Sequence, residues 1–165
     1  MPKSVAEVAK RFIGSYLGTA VDPDFADLFA PKLVAWHNYD AKKVEYDGAA
    51  WASMQLQKRD QLRRLVPDHT IENFTLHVAE SAFILVHTSV GTLPDGTRFR
   101  VPACLVWSVR NGRIVSVNSI SDSTQRARLD GALAAMTSGH GLWAERGESA
   151  KATIGARKLT DEIKS

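Results

Sequence analysis

VPDHTIENFTLHVAESAFILVHTSVGTLPDGTRFRVPACLVWSVRNGRIVSVNSISD, running from Val66 to Asp122, decides the fold of this chain. Three reversal signals divide it: Glu80-Ser81, Pro94-Asp95-Gly96 and Asn111-Gly112. Glycine after Asp or Asn supplies the positive φ that a tight hairpin turn needs. The apolar and β-branched runs between these signals read as a four-stranded antiparallel meander: Thr70–Ala79, Ala82–Thr92, Thr97–Val109 and Arg113–Ser121. Such runs exceed the usual strand of about 5–6 residues, so the sheet should be long and strongly bent. A bent open sheet has one concave face, and helices must cover it.

The remainder of the chain supplies those helices. Ser4 and Glu7 form a capping-box pattern, and Val5, Val8, Ala9, Phe12, Ile13 and Tyr16 share one helical face that ends at Gly18. Asp22-Pro23 opens a second, short helix with Phe25, Leu28 and Phe29 on its apolar side, and Pro31 stops it. Leu33 to Tyr39 reads as a strand with Leu33, Ala35, His37 and Tyr39 on one face. Asp40 to Asp47 reads as a polar loop. From Gly48 to about Leu65 a long helix buries Trp51, Met54 (or Leu56), Leu62 and Leu65, and wets Lys58, Arg59, Arg63 and Arg64. After Asp122, which reads as an N-cap, Thr124–Met136 is helical again.

The order α-α-β-α-β-β-β-β, followed by a helical C-terminal tail, argues an α+β fold. Three N-terminal helices pack on a long curved antiparallel sheet as a cone-shaped barrel with a blind pocket for a small ligand. Residues 1–130 read as the cone domain and 131–165 as a C-terminal helical extension, whose Trp143 is expected to lid the pocket.

Bulk properties narrow the function. The 165 residues fit one domain, and 44% hydrophobic content is enough for a core. Twenty-one basic against 18 acidic side chains leave a net charge of +3, scattered along the chain, so no nucleic-acid partner is expected. Cys104 is the single cysteine, which rules out an internal disulfide and suits a reducing cytoplasm. No run approaches the ~18 apolar residues of a membrane span, so a soluble cytoplasmic protein is expected. A Gly-rich phosphate loop, a Ser-His-Asp order and a Cys-x-x-Cys pair are all missing from the sequence, so neither cofactor nor metal is implied.

Four motifs in this order resemble a known family. They are LFAPKLVAWHN on the first strand, VPD before the meander, VGT at the end of its second strand and NGRIVSV in its last. Together they resemble the nuclear transport factor two-like superfamily, in particular SnoaL-like polyketide cyclases and ketosteroid isomerases, over about Val5 to Leu129. Ketosteroid isomerases place an oxyanion-donating Tyr in the first helix, where this chain has Tyr16. Their base lies eight residues after the Phe of the LFA motif, which falls on His37. Their second, acidic donor falls on Leu105, so the resemblance does not extend to the standard steroid-isomerase pair. The scytalone-dehydratase branch implies a different pair, Asp22 (or Asp24) with His69.

His37 in an apolar pocket would stay neutral through desolvation, as a general base must near neutral pH. Tyr16 could then donate to a developing enolate or alkoxide. In the rival dyad, Asp22 would fix the tautomer of His69 and raise its basicity. The register expected from the Asp95-Gly96 turn points Val86, Thr88, Val101, Ala103, Leu105 and Trp107 into the cone, with Val115, Val117, Ser119 and Ser121 beside them, and turns His87 outward. Phe12, Tyr39, Trp51 and Met54 would close the pocket. Such a lining suits a small hydrophobic, aromatic or polycyclic ligand. The expected function is a cofactor-independent acid/base enzyme, an isomerase, cyclase, dehydratase or related lyase. The alternative is a non-catalytic ligand-binding or scaffold module of the same fold. A homodimer packed through the outer face of the sheet is expected in either case, with no membrane partner.

Overall fold

A computed structural model describes residues 2–18 and 20–136. Helix α1 spans Val5–Tyr16, a 3-10 turn Phe25–Leu28, strand β1 Phe29–His37, β2 Val44–Asp47 and helix α2 Gly48–Leu65. The meander follows as β3 Thr70–Val78, β4 Ala82–Thr92, β5 Arg98–Arg110 and β6 Arg113–Ser121, and α3 spans Ser123–Met136. All six strands form one sheet in the order β2-β1-β6-β5-β4-β3. The meander is antiparallel throughout, and β1 adds to β6 in parallel. The sheet curls as an α+β cone and stays open between β2 and β3.

Local chemistry sets the boundaries. Ser4 Oγ caps α1 by accepting from the Glu7 N–H at 3.2 Å, Asp47 Oδ1 caps α2 through the Ala50 N–H at 2.8 Å, and Asp122 Oδ1 caps α3 through the Gln125 N–H at 3.0 Å. Asn111 and Gly112 both take positive φ, 52° and 71°, which turns β5 directly into β6. Two expectations are corrected. The second helix is a single 3-10 turn, because Phe29 already enters β1. The polar stretch before α2 is not all loop: Val44–Asp47 pairs with Lys32–Ala35 as a short edge strand. Edge strands tolerate such polar content because one side meets water.

Two buried clusters hold the fold. The larger gathers Phe12, Phe25, Leu28, Phe29, Leu33, Trp51, Met54, Phe83, Leu85 and Trp107 at the closed end. Phe12 is its wedge, with ring centroids 4.5 Å from Trp107, 5.5 Å from Tyr16, 5.8 Å from Phe83 and 5.9 Å from Phe25. The smaller joins Val66, Leu93, Phe99, Val101, Leu129 and Leu133, and docks α3 on β5 and on the end of α2. Helix α3 runs unbroken across position 130, and residues 137–165, with Trp143, lie outside the described residues.

The exposed side of α2 is smaller than its sequence implies. Arg59 is only 10% exposed, and its Nη1 donates to the Ser15 carbonyl at 2.5 Å. Arg63 Nη2 donates to the carbonyls of Leu17 and Gly18 at 3.0 and 2.9 Å. These bonds satisfy carbonyls that the end of α1 leaves without helical partners. Replacing Phe12 by Ala should lower stability by about 3–5 kcal/mol, read as a fall in the urea midpoint. A loss below about 1 kcal/mol would contradict the wedge role.

Candidate functional site

Strand pairing lays the concave side chains in rows. Phe83, Trp107, Val117 and Ala35 form one row, all buried. One step toward the open end come Leu85, Leu105, Ser119 and His37, and then His87, Ala103 and Ser121. Val101 and Phe99 lie further along and belong to the second cluster. Leu105, Ser119, His37, His87, Ala103 and Ser121 are all partly exposed. A polar, partly accessible trough therefore separates the two buried clusters.

His37 projects onto this face, with its side chain 14% exposed. Its Nδ1 lies 2.8 Å from Asp40 Oδ2, which also accepts from the His37 N–H at 3.0 Å. An ionised carboxylate only accepts, so it holds the proton on Nδ1 and leaves the lone pair on Nε2. The ring of Tyr39 stacks on the imidazole at 5.1 Å. Tyr16 is half-buried against Phe12. Burial pushes its phenol above the ordinary value, with Arg126 and Arg59 pulling the other way, so it stays protonated and can donate.

Arg126, in the first turn of α3, lies three residues before Leu129, which clusters with Phe99 and Val101 of the concave face, so the two share one side of the helix. The Arg126 Nε donates to Asp130 Oδ2 at 3.1 Å. Burial opposes its charge, but Asp130, Tyr39 and Tyr16 outweigh that and raise its pKa. Sequence reasoning missed both Arg126 and Asp40. The i,i+4 spacing of Arg126 and Asp130 was a visible signal for an intrahelical pair, although nothing in it revealed which way the pair faces.

The second expected pair does not meet. Asp22 accepts from Arg11 Nε at 2.5 Å and from the Asp24 N–H at 2.9 Å, and the bond from Arg11 holds its carboxyl below the usual range. His69 instead places Nε2 2.8 Å from Ser89 Oγ and packs its ring near Phe99. Asp22 and His69 share no hydrogen bond.

The expected register of β4 is corrected by one residue. Val86 pairs with Cys104 and Thr88 with Pro102, on the convex face, while His87 pairs with Ala103 and faces the trough. The cause is the loop: Thr92 pairs with Arg98, so five residues reverse the chain, and a one-residue change exchanges the two faces. A bulge in β6 likewise puts Ile114, not Val115, into the core. Phe12, Trp51, Met54, Trp107 and Val117 lie in the large cluster, as core beneath the trough, with Leu105 packed on its edge. Among the described residues no group of three or more His, Cys, Asp or Glu could hold a metal ion, and no helix is long and apolar enough to cross a membrane. An open depression of about 470 Å³ lined by Pro2–Ala6, Val78–Glu80 and Asn111-Gly112 lies at the other end of β6 from Ser119 and touches none of these groups.

Solved structures share this architecture. A nuclear transport factor two-like protein from Burkholderia thailandensis superposes with a TM-score of 0.55 at 21% identity, over 76% of this chain and 96% of that one. A candidate SnoaL-like polyketide cyclase from Jannaschia gives 0.54 at 13% identity, over 79% and 91%. A protein of ketosteroid isomerase-like fold from Catenulispora acidiphila, solved with trimethylamine, gives 0.50 at 15%, over 78% and 95%. No protein-family model and no curated protein matches the sequence. The chain has the nuclear transport factor two-like fold that its motifs resemble. At these identities the likeness is one of fold.

Burial lowers the pKa of both His69 and His87 below the usual 6.5, helped by Arg63 for the first and by Arg126 for the second. The unfolded chain then binds more protons than the folded one as pH falls. Stability contributed by the neutral rings is complete above 6.5 and is lost as pH drops from there through the folded values. The urea midpoint should therefore fall between about pH 7 and about pH 5, and a His69→Gln, His87→Gln double variant should flatten that slope. An unchanged slope would show that these rings do not report it.

Proposed function

We propose that the trough is the active site of a cofactor-independent acid/base enzyme, an isomerase, cyclase, dehydratase or related lyase, acting on a small hydrophobic molecule. One observation carries this reading: the imidazole of His37, oriented by Asp40 at 2.8 Å, stands at the point where the apolar cone turns polar. Nε2 would take a proton from a carbon next to a carbonyl, and the electron pair left behind would move onto the carbonyl oxygen. The Tyr16 hydroxyl would donate to that oxygen. Return of the proton to another carbon gives isomerisation, attack of the carbanion on a second carbonyl gives cyclisation, and departure of a β-hydroxyl gives dehydration. Asp40 would stabilise the imidazolium in between.

The test is hydrogen exchange. Aromatic and polyketide-type carbonyl compounds incubated with the protein in heavy water should exchange their acidic C–H, followed by NMR. His37→Gln should slow that exchange roughly 10²-fold or more with the fold intact, and Asp40→Asn should slow it less. Exchange unaffected by His37→Gln would remove the imidazole from the mechanism.

A non-catalytic ligand-binding or scaffold role is the second reading. It is favoured by the inner half of the cone, which Phe12, Phe83 and Trp107 fill as core. Both readings include a homodimer through the convex face of the sheet. Val86, Cys104 and Ile120 lie in one cross-strand row there, with Val86 38% and Ile120 48% exposed. Ile120→Asp should then turn a dimer into a monomer in sedimentation, and a wild type that sediments as a monomer would exclude that interface.

A further inference from the structure

Helix α3 starts where β6 ends. Its capping residue is tied to β5 by the bond from the Asp122 N–H to the Pro102 carbonyl at 3.3 Å, and the Arg126 N–H returns to the Asp122 carbonyl at 2.9 Å. Leu129 and Leu133 seat α3 against Phe99 and Val101 on the inner face of β5, and Arg126, three residues before Leu129, shares that side of the helix. Its charge acts on Tyr16, Tyr39 and His87, which come from three other parts of the chain. Ala103 is the smallest side chain on the inner face of β5.

The Arg126–Asp130 pair is incomplete. A guanidinium has five N–H donors, and only the Nε–H is used, on Asp130. Among the described residues the two terminal amino groups have no hydrogen-bond partner, although about two thirds of the side chain is buried. Asp130 Oδ1 is likewise buried without a partner. The Tyr16 hydroxyl makes no hydrogen bond among the described residues either. Neither the amino groups of Arg126 nor the Tyr16 hydroxyl is fully buried, so both stay within reach of a ligand.

We infer that the terminal fork of Arg126 is the recognition point for a carboxylate, so that the ligand is an apolar molecule of aromatic size bearing one acidic group. A planar two-oxygen acceptor matches the fork of a guanidinium better than a single carbonyl does. The inference rests on reading the trough as the active site, and it names the class of substrate that site takes: carboxylated carbon acids, not neutral steroid-like or terpenoid ones.

The test compares naphthoate with its methyl ester by titration calorimetry on the full chain. Wild type should bind the acid roughly 10–100-fold tighter than the ester. Arg126→Gln should erase the preference, and Arg126→Lys, which keeps the charge but not the fork, should keep part of it. Equal binding of acid and ester, binding of neither, or a preference that survives Arg126→Gln would each overturn the proposal. Should Arg126→Gln fail to fold, the acid-to-ester ratio in wild type and Arg126→Lys decides. His37→Gln separates the two readings: it should leave the acid preference intact and slow carbon-acid exchange roughly 10²-fold or more. A preference retained together with unaffected exchange would sink the catalytic reading alone.

Discussion

Strand β5 pairs without slip to β4 from Arg98 to Ser108 and to β6 from Ala103 to Ser108, and the rest of the molecule depends on that double register. It decides which side chains share a row and which rows face inward. Two positions along β5 separate Trp107, fully in the core, from Leu105 at the edge of the trough, and two more separate Leu105 from Ala103 between His87 and Ser121. Burial of apolar area, worth about 25 cal/mol per Å², holds the closed end through Phe12 and the open end through Leu129 and Leu133. Polar groups are confined to the interval between. The trough is thus a by-product of packing at two separate places along the same strands.

Much of this was legible in the sequence, because hairpin chemistry and apolar periodicity are local. The Asn111-Gly112 and Asp95-Gly96 turns located the four meander strands to within about a residue, and Ser4 and Asp122 announced two of the helix starts. What escaped was set by distance. The inward face of β4 depends on the number of residues in the loop that opens from Thr92 to Arg98, which only the pairing reveals. Asp40 looked like loop filling, since nothing in its neighbourhood shows that it closes on the ring of His37. Arg126 sat in a helix read for its leucines, which said nothing of where its polar side points.

The arginines of α2 connect the scaffold to the site. Arg59 and Arg63 hold the carbonyls of Ser15, Leu17 and Gly18, the turn that contains Tyr16. The phenol is thereby held from two sides, by the ring of Phe12 and by a neighbouring helix. Long cationic side chains that look like solvent-facing decoration in the sequence therefore act as struts for a candidate donor.

Strand β1 meets the meander only through β6, in parallel, and a parallel neighbour cannot be reached by a short reversal. His37 and Ser119 consequently face each other across most of the described chain. No fragment made of α1 to α2 alone, or of the meander alone, contains both walls of the trough. Assembly of the site therefore requires a pairing between distant parts of the chain, and a ligand bound there would stabilise only chains in which that pairing has formed.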